Sequence, residues 1–209
     1  MTDRLKTLRR AALAILALAL CAPLAAPSIA RADPPADGGS AFGITMGASV
    51  RKLEGARVFK PGWYKVAAPP KPDPRFTQVA VEAFADTGVC VVQAVSPEVI
   101  GDPAGVKIRS TADRLADDFS RTYGAPERLD SCSNAACAAD LWGEDMQAGA
   151  RRYGYRWEMH DAPDKGVREA SLVVIPHSVS SYVLLLQFDS GALTPCQMAE
   201  RQALDEEQR

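Results

Sequence analysis

Between Phe76 and Val95 the chain is almost wholly strand-forming, and its one interruption is Asp86-Thr87-Gly88. Before the break Val79, Val81 and Ala83 alternate with Ala80, Glu82 and Phe84; after it Cys90, Val92 and Ala94 alternate with Val89, Val91, Gln93 and Val95. A period of two predicts a β-hairpin, and a three-residue loop with glycine where a positive φ is needed suits its turn. Both faces of each strand are largely apolar, so the hairpin belongs in the middle of a sheet rather than at its edge.

The pattern on either side supplies the other elements. Ser49 can cap a short helix to about Gly55, with Val50 and Leu53 on one face. Ala56 to Val66 reads as a strand bent at Pro61-Gly62, and the four prolines of Pro69-Pro70-Lys71-Pro72-Asp73-Pro74 exclude helix and central strand from the segment that follows. A helix begins at Ser110 or Thr111: Leu115, Phe119 and Tyr123 recur every four residues, and Gly124 with Pro126 ends it. Asp113 then falls in its first turn, where the helix dipole favours a carboxylate. Arg128 to Trp142 reads as a loop and Gly143 to Ala150 as a helical turn or two.

Three strands come next. In the first, Tyr153, Tyr155, Trp157 and Met159 alternate with Gly154, Arg156 and Glu158; Ala170 to Ile175 and Tyr182 to Phe188 are the others. A C-terminal helix closes the chain, with Thr194 as cap, Pro195 in the first helical position, Gln197 completing a capping box and Cys196 in the first turn. This order predicts an α+β fold, mainly antiparallel, with a long middle helix and a C-terminal helix, in one domain over 41–209. The segments 41–127 and 128–209 also read as two similar α-plus-sheet halves.

The N-terminus changes the compartment. Arg4, Lys6, Arg9 and Arg10 precede an apolar run from Ala11 to Leu20, and small residues lead to Ala30-Arg31-Ala32. This is the pattern of a secretory signal peptide over 1–32, cleaved after Ala32 or, alternatively, after Ala30. Leu18-Ala19-Leu20-Cys21 resembles a lipidation box, but Leu20 stands where a small residue is wanted. The apolar run is shorter than the roughly 20 residues a membrane-spanning helix needs, and no second run follows, so the processed protein is expected to be periplasmic or secreted and soluble. Residues 33–40, rich in Pro, Asp and Gly, read as its flexible N-terminus.

Of 24 Lys+Arg and 26 Asp+Glu, the leader takes five and one, leaving 19 against 25 and a net charge near −6. An acidic surface without a basic cluster argues against nucleic acid or anionic membrane as partner. Four cysteines follow the leader, and an even number in an exported chain implies two disulfides in one of three connectivities. Cys132 and Cys137, five apart in a Ser/Asn/Ala loop, suit a local clip, which leaves Cys90 for Cys196. By chain entropy a loop of about 100 residues is worth about 4.7 kcal/mol and the short clip about 2. The competing metal reading of Cys132-x4-Cys137 lacks a second close pair and a nearby histidine.

One ordered set of residues spans most of the processed chain: Phe42-Gly43-Ile44-x2-Gly47, Tyr64 before Pro69-Pro70-Lys71-Pro72-x3-Phe76, Gly88-Val89-Cys90, Tyr123-Gly124-x-Pro126, Trp142 with Glu144-Asp145-Met146, and a late Cys196. The set resembles a group of uncharacterised bacterial secreted proteins, a resemblance that implies an exported domain and no particular activity. In element order alone, a helix followed by antiparallel strands is similar to the β-lactamase-inhibitor and outer-membrane-assembly (BamE-type) modules. That similarity implies action by binding proteins.

Candidate chemistry is sparse. His160-Asp161-x2-Asp164 offers three ligands in one loop, a weak metal candidate whose ordinary reading is a solvated turn, since a metal site wants more ligands and groups that orient them. His177 lies beside Ser178, Ser180 and Ser181 without the Gly-x-Ser-x-Gly elbow of a hydrolase. The adjacent carboxylates Asp117-Asp118 and Glu144-Asp145 point in different directions on a helix, unlike a glycosidase pair facing across a cleft. No phosphate loop or dinucleotide fingerprint occurs, so no cofactor is expected. Trp63, Tyr64 and the row Tyr153, Tyr155, Trp157 form a binding surface if they face outwards, and a packed sheet face if they do not. The leading expectation is a non-enzymatic exported module that binds or inhibits another envelope protein. A small-molecule or glycan-binding module is the alternative, and a hydrolase at His160 or His177 stands third.

Overall fold

The structure, a computed structural model, describes residues 39–133, 137, 141–160 and 166–207. The leader and most of the segment 33–40 lie outside these residues, as do Asp161 and Asp164.

The first ordered element is a pair of two-residue strands, β1 (Ser40–Ala41) and β2 (Ile44–Thr45), which reverse through Phe42 and Gly43. Phe42 takes φ +52, a left-handed conformation that a bulky side chain adopts only when its surroundings hold it there. They do: the ring is fully buried between Phe76 at 5.7 Å and Phe188 at 6.2 Å. Where a helix to Gly55 is predicted there is only a 3₁₀ turn, Val50–Lys52, and Ser49 makes no side-chain cap bond. Two apolar positions are too few to hold a longer helix against the core.

The predicted bent strand is a hairpin, β3 (Ala56–Lys60) and β4 (Trp63–Val66), because Pro61-Gly62 reverses the chain instead of bending it. Gly62 has φ +74, and a Cβ there would sit 2.3 Å from the Phe84 ring. Next come β5 (Gln78–Phe84) and β6 (Gly88–Val95), the hairpin predicted from the period of two, then β7 (Val99–Ile100).

Helix α1 (Val106–Tyr123) begins more than a turn before Ser110. The buried Asp102 carboxylate accepts the Ile108 backbone N–H at 2.9 Å, so the cap comes from ahead of Gly105 and not from Ser110 or Thr111. Asp113 is therefore well inside the helix and not in its first turn. The predicted loop after Arg128 starts with a strand instead, β8 (Glu127–Cys132), followed by α2 (Trp142–Gln147). Only Leu129 in β8 is apolar besides its cysteine, and backbone pairing to one neighbour makes the strand. Strands β9 (Arg151–Glu158), β10 (Val167–Ser178) and β11 (Ser181–Ser190) follow as predicted but longer, and α3 (Leu193–Glu207) ends the chain. Its first bond runs from Cys196 N–H to the Ala192 carbonyl at 3.1 Å, so the helix starts ahead of Thr194 and Pro195 is its third residue.

The fold is α+β. One nine-stranded antiparallel sheet has the order β3-β4-β5-β6-β11-β10-β9-β8, with β7 added to β11. The segments 41–127 and 128–209 each supply a run of strands, and they meet where β6 pairs with β11, Gln93 opposite Gln187. Register follows each face across the sheet. Tyr64, Val81, Val92, Phe188, Ala170 and Trp157 lie in one row, on the face covered by α1, whose Phe119 ring is 5.9 Å from Trp157. The neighbouring row, Trp63, Glu82, Val91, Asp189, Glu169 and Glu158, lies on the opposite face, and α3 packs there over β5 and β6. Helix α1 buries Ile108, Ala112, Leu115, Ala116 and Phe119, and each large apolar side chain so buried contributes about 1.5–3 kcal/mol.

Candidate binding surface

The aromatic row expected as a surface is core. Tyr153, Tyr155 and Trp157 are all buried under α1, with rings about 6 Å apart (both 6.2 Å). The two tyrosine hydroxyls are the polar ends of this row that find partners among the described residues. Both phenols donate to Asp113 Oδ1, Tyr153 at 2.5 Å and Tyr155 at 2.7 Å, and Arg128 donates to the Tyr153 oxygen at 3.2 Å. Burial and the hydrogen bond to Asp113 push both phenols above the usual tyrosine range. Asp113 thus ties α1 to β9, a structural role that its place in the sequence conceals.

Trp63 is also buried, 7 % exposed, and donates Nε1–H to Glu200 Oε1 at 3.1 Å. Tyr64 is half-buried on the other face. His160 is far from enclosed: its side chain is 83 % exposed and 3.7 Å from Glu158. His177 Nδ1 lies 3.2 Å from Glu98 Oε1, while Ser178 and Ser181 hydroxyls bond each other at 3.0 Å across the β10–β11 turn. The serines beside His177 are thus engaged with their own turn.

Both disulfides are formed, Cys90–Cys196 with Cα atoms 6.4 Å apart and Cys132–Cys137 with 6.3 Å. The long bridge fastens α3 onto the central hairpin, and Thr87 Oγ1 lies 3.5 Å from Cys196 Sγ. Two buried carboxylates share one row of the sheet, Glu82 on β5 beneath α3 and Asp189 on β11. Glu82 is 3 % exposed and its Oε1 has no hydrogen-bond partner among the described residues; burial first, then the nearby Glu200, pushes its carboxyl from 4.5 to about 7. Burial raises Asp189 from 3.8 to about 6, against the opposing effect of Gln187, which donates to both its oxygens at 2.8 and 3.1 Å. Gln93 in turn donates to Gln187 at 2.7 Å. A Glu82 oxygen lies within 4.8 Å of both sulfurs, which are bonded to each other.

The exposed chemistry lies at an edge of the sheet, two strands from Glu82. β3 is an edge of the sheet, and every residue from Arg57 to Lys60 is exposed, with Val58 at 65 % and Phe59 at 49 %. An open groove of about 630 Å³ runs beside it, lined by Arg57, Val58, Phe59, Lys65, Thr77 and Gln78 among others. Phe59 stands at a bulge, packs edge-on to Trp63 at 6.5 Å, and carries the Lys65 ammonium 5.7 Å over its ring. The bulge puts Arg57 and Lys60 on the same side of the sheet as Lys65 and Trp63.

The surface here is basic, contrary to the expectation of an acidic surface without a basic cluster. Between Ser49 and Lys71 the chain carries Arg51, Lys52, Arg57, Lys60, Lys65 and Lys71 against Glu54 alone. Lys60 is 3.7 Å from Glu200, whereas no carboxylate pairs with Arg57 or Lys65 among the described residues. Sequence reading singled out Trp63 and Tyr64 on this hairpin and missed Arg57, Val58, Phe59 and Lys65. The available signal was the local excess of Lys and Arg over 49–71 in an otherwise acidic chain.

No protein-family model matches this chain, and no curated protein or solved structure matches it either.

Proposed function

We propose that this protein is an exported, disulfide-stapled domain of the cell envelope that acts by binding another protein. The observation that carries the reading is the β3 edge, where two large apolar side chains, an open groove and two cations, Arg57 and Lys65, without a carboxylate partner among the described residues coincide. Lone exposed apolar residues are ordinary on a protein surface; an exposed sheet edge bearing two of them beside a groove is a recognised mode of protein recognition. The secretory pattern of the leader and the two disulfides support an oxidising compartment. The similarity of element order to inhibitor and assembly modules points the same way. The glycan-binding alternative rested on an outward-facing aromatic row, and the burial of Tyr153, Tyr155 and Trp157 removes that support.

The test is a photoreactive aromatic residue in place of Phe59, and separately of the exposed Val179, in cells that export the protein. A discrete protein adduct from position 59 and none from 179 is the expected result. Equal trapping at both positions, or none at 59, overturns the reading.

A further inference from the structure

Resting on the protein-binding reading, we infer that the partner presents an extended segment of alternating acidic and apolar residues, which adds as a further strand to the open edge of β3. Three observations on the hairpin define that occupant. First, β3 ends the sheet, so one row of its backbone N–H and C=O groups faces away from β4 with no strand beside it among the described residues. An extended backbone is the ligand that satisfies such a row.

Second, the two faces of the edge differ. Arg57, Lys60 and Lys65 stand on the face that holds Trp63, and Val58 stands on the other, opposite Tyr64. A strand alternates its side chains with period two, so an added strand sends one set towards the cations and the other towards Val58. Acidic residues complement the first set and apolar residues the second, and directly opposed unlike charges stabilise a cross-strand pair.

Third, charge rejects the competing occupant. A second copy pairing β3 against β3 would bring Arg57 and Lys60 against their own kind, and like charges directly opposite one another destabilise the pair. The cations that suppress self-association on this edge therefore select an acidic strand. Arg57 and Lys65 have no carboxylate partner among the described residues, so they are available for that role.

A fluorescent peptide of roughly eight residues alternating Glu and Val, the length of an ordinary strand, is titrated into the purified protein. Saturable binding is expected, weakened by added salt and lowered at least about tenfold by Arg57→Glu with Lys65→Glu, while Arg57→Lys with Lys65→Arg retains it. A peptide N-methylated on alternate residues, whose backbone no longer donates along one edge, should not bind. Circular dichroism of each variant controls for folding. Equal binding of polyglutamate and of the alternating peptide would make the edge a general polyanion site and overturn the inference. So would a dimer in sedimentation that Val58→Glu dissolves, because the occupant is then a second copy. A protein adduct at position 59 together with no peptide binding rejects the strand-addition inference and leaves the protein-binding reading standing.

Discussion

Glu82 illustrates how far a buried position can be from its ordinary chemistry. It lies in a strand whose neighbours are apolar, and the helix above it supplies Glu200, so its carboxyl titrates at about 7 instead of 4.5. The unfolded chain ionises it first as pH rises, while the folded protein still holds the proton. Stability is therefore greatest below about pH 4.5 with respect to this group, falls between 4.5 and 7, and levels off once both states are ionised; the total loss is about 3 kcal/mol. Glu82→Gln keeps the shape and removes the charge. Its urea-unfolding free energy should vary less between pH 4.5 and 7 than that of the parent, and an unchanged pH slope would show that Glu82 does not sense the burial described. Asp189 adds a fall of the same sign between 3.8 and about 6, which Glu82→Gln leaves in place.

The motif residues behave in the same way when their contacts are followed. Gly43 approaches Pro70 and Lys71 so closely that a Cβ would lie 2.9 Å from Pro70 Cβ, and Lys71 N–H donates to the Phe42 carbonyl at 2.9 Å. Gly47 N–H donates to Val89 O at 2.7 Å beside Gly88. The pattern Phe42-Gly43-Ile44, Pro69-Pro70-Lys71-Pro72 and Gly88-Val89-Cys90 is thus a set of junctions between segments distant in the chain. It reports a fold, and this is why it suggested no activity.

Among the elements, α3 is held differently from α1. Helix α1 buries a continuous apolar stripe of five residues, whereas α3 meets the sheet through Cys196, bonded to Cys90, and through Glu200, bonded to Trp63. The bridge closes 106 residues and the clip at Cys132 only five, so the chain-entropy model assigns them unequal roles. Replacing Cys90 and Cys196 by serine should cost about 2–5 kcal/mol and expose Trp63, whereas the same change at Cys132 and Cys137 should cost about 2 or less. Thermal unfolding with tryptophan emission measures both, and equal losses would contradict the role given to the long bridge.

For the whole molecule the β6–β11 pairing is decisive. It makes one sheet of the two runs of strands, and Phe42 from the first segment packs on Phe188 from the second. A shared core predicts that unfolding is one cooperative step, with far-ultraviolet and near-ultraviolet signals coincident in denaturant. Two separated transitions would mean that 41–127 and 128–209 fold as independent halves. The charge distribution is also a property of the assembled surface: a basic first hairpin on a chain that carries 13 Lys+Arg against 22 Asp+Glu from Pro72 onward.

Local pattern was sufficient for the α+β class, the central hairpin, the long helix and the strands after Tyr153, because period and turn chemistry act between near neighbours. It was also sufficient for the cysteine pairing once the short spacing of Cys132 and Cys137 had been used. Position along the sheet was a different matter. Alternation is the same for an edge strand and a covered one, so Val58 and Phe59 carried no mark of exposure and Tyr153, Tyr155 and Trp157 none of burial. The start of α1 depended on Asp102 reaching past Gly105, and β8 on a partner strand whose own place was set by β10. Those outcomes follow from long-range pairing and packing, which no window of the sequence contains, and the same pairing leaves the basic edge of β3 without a neighbouring strand among the described residues.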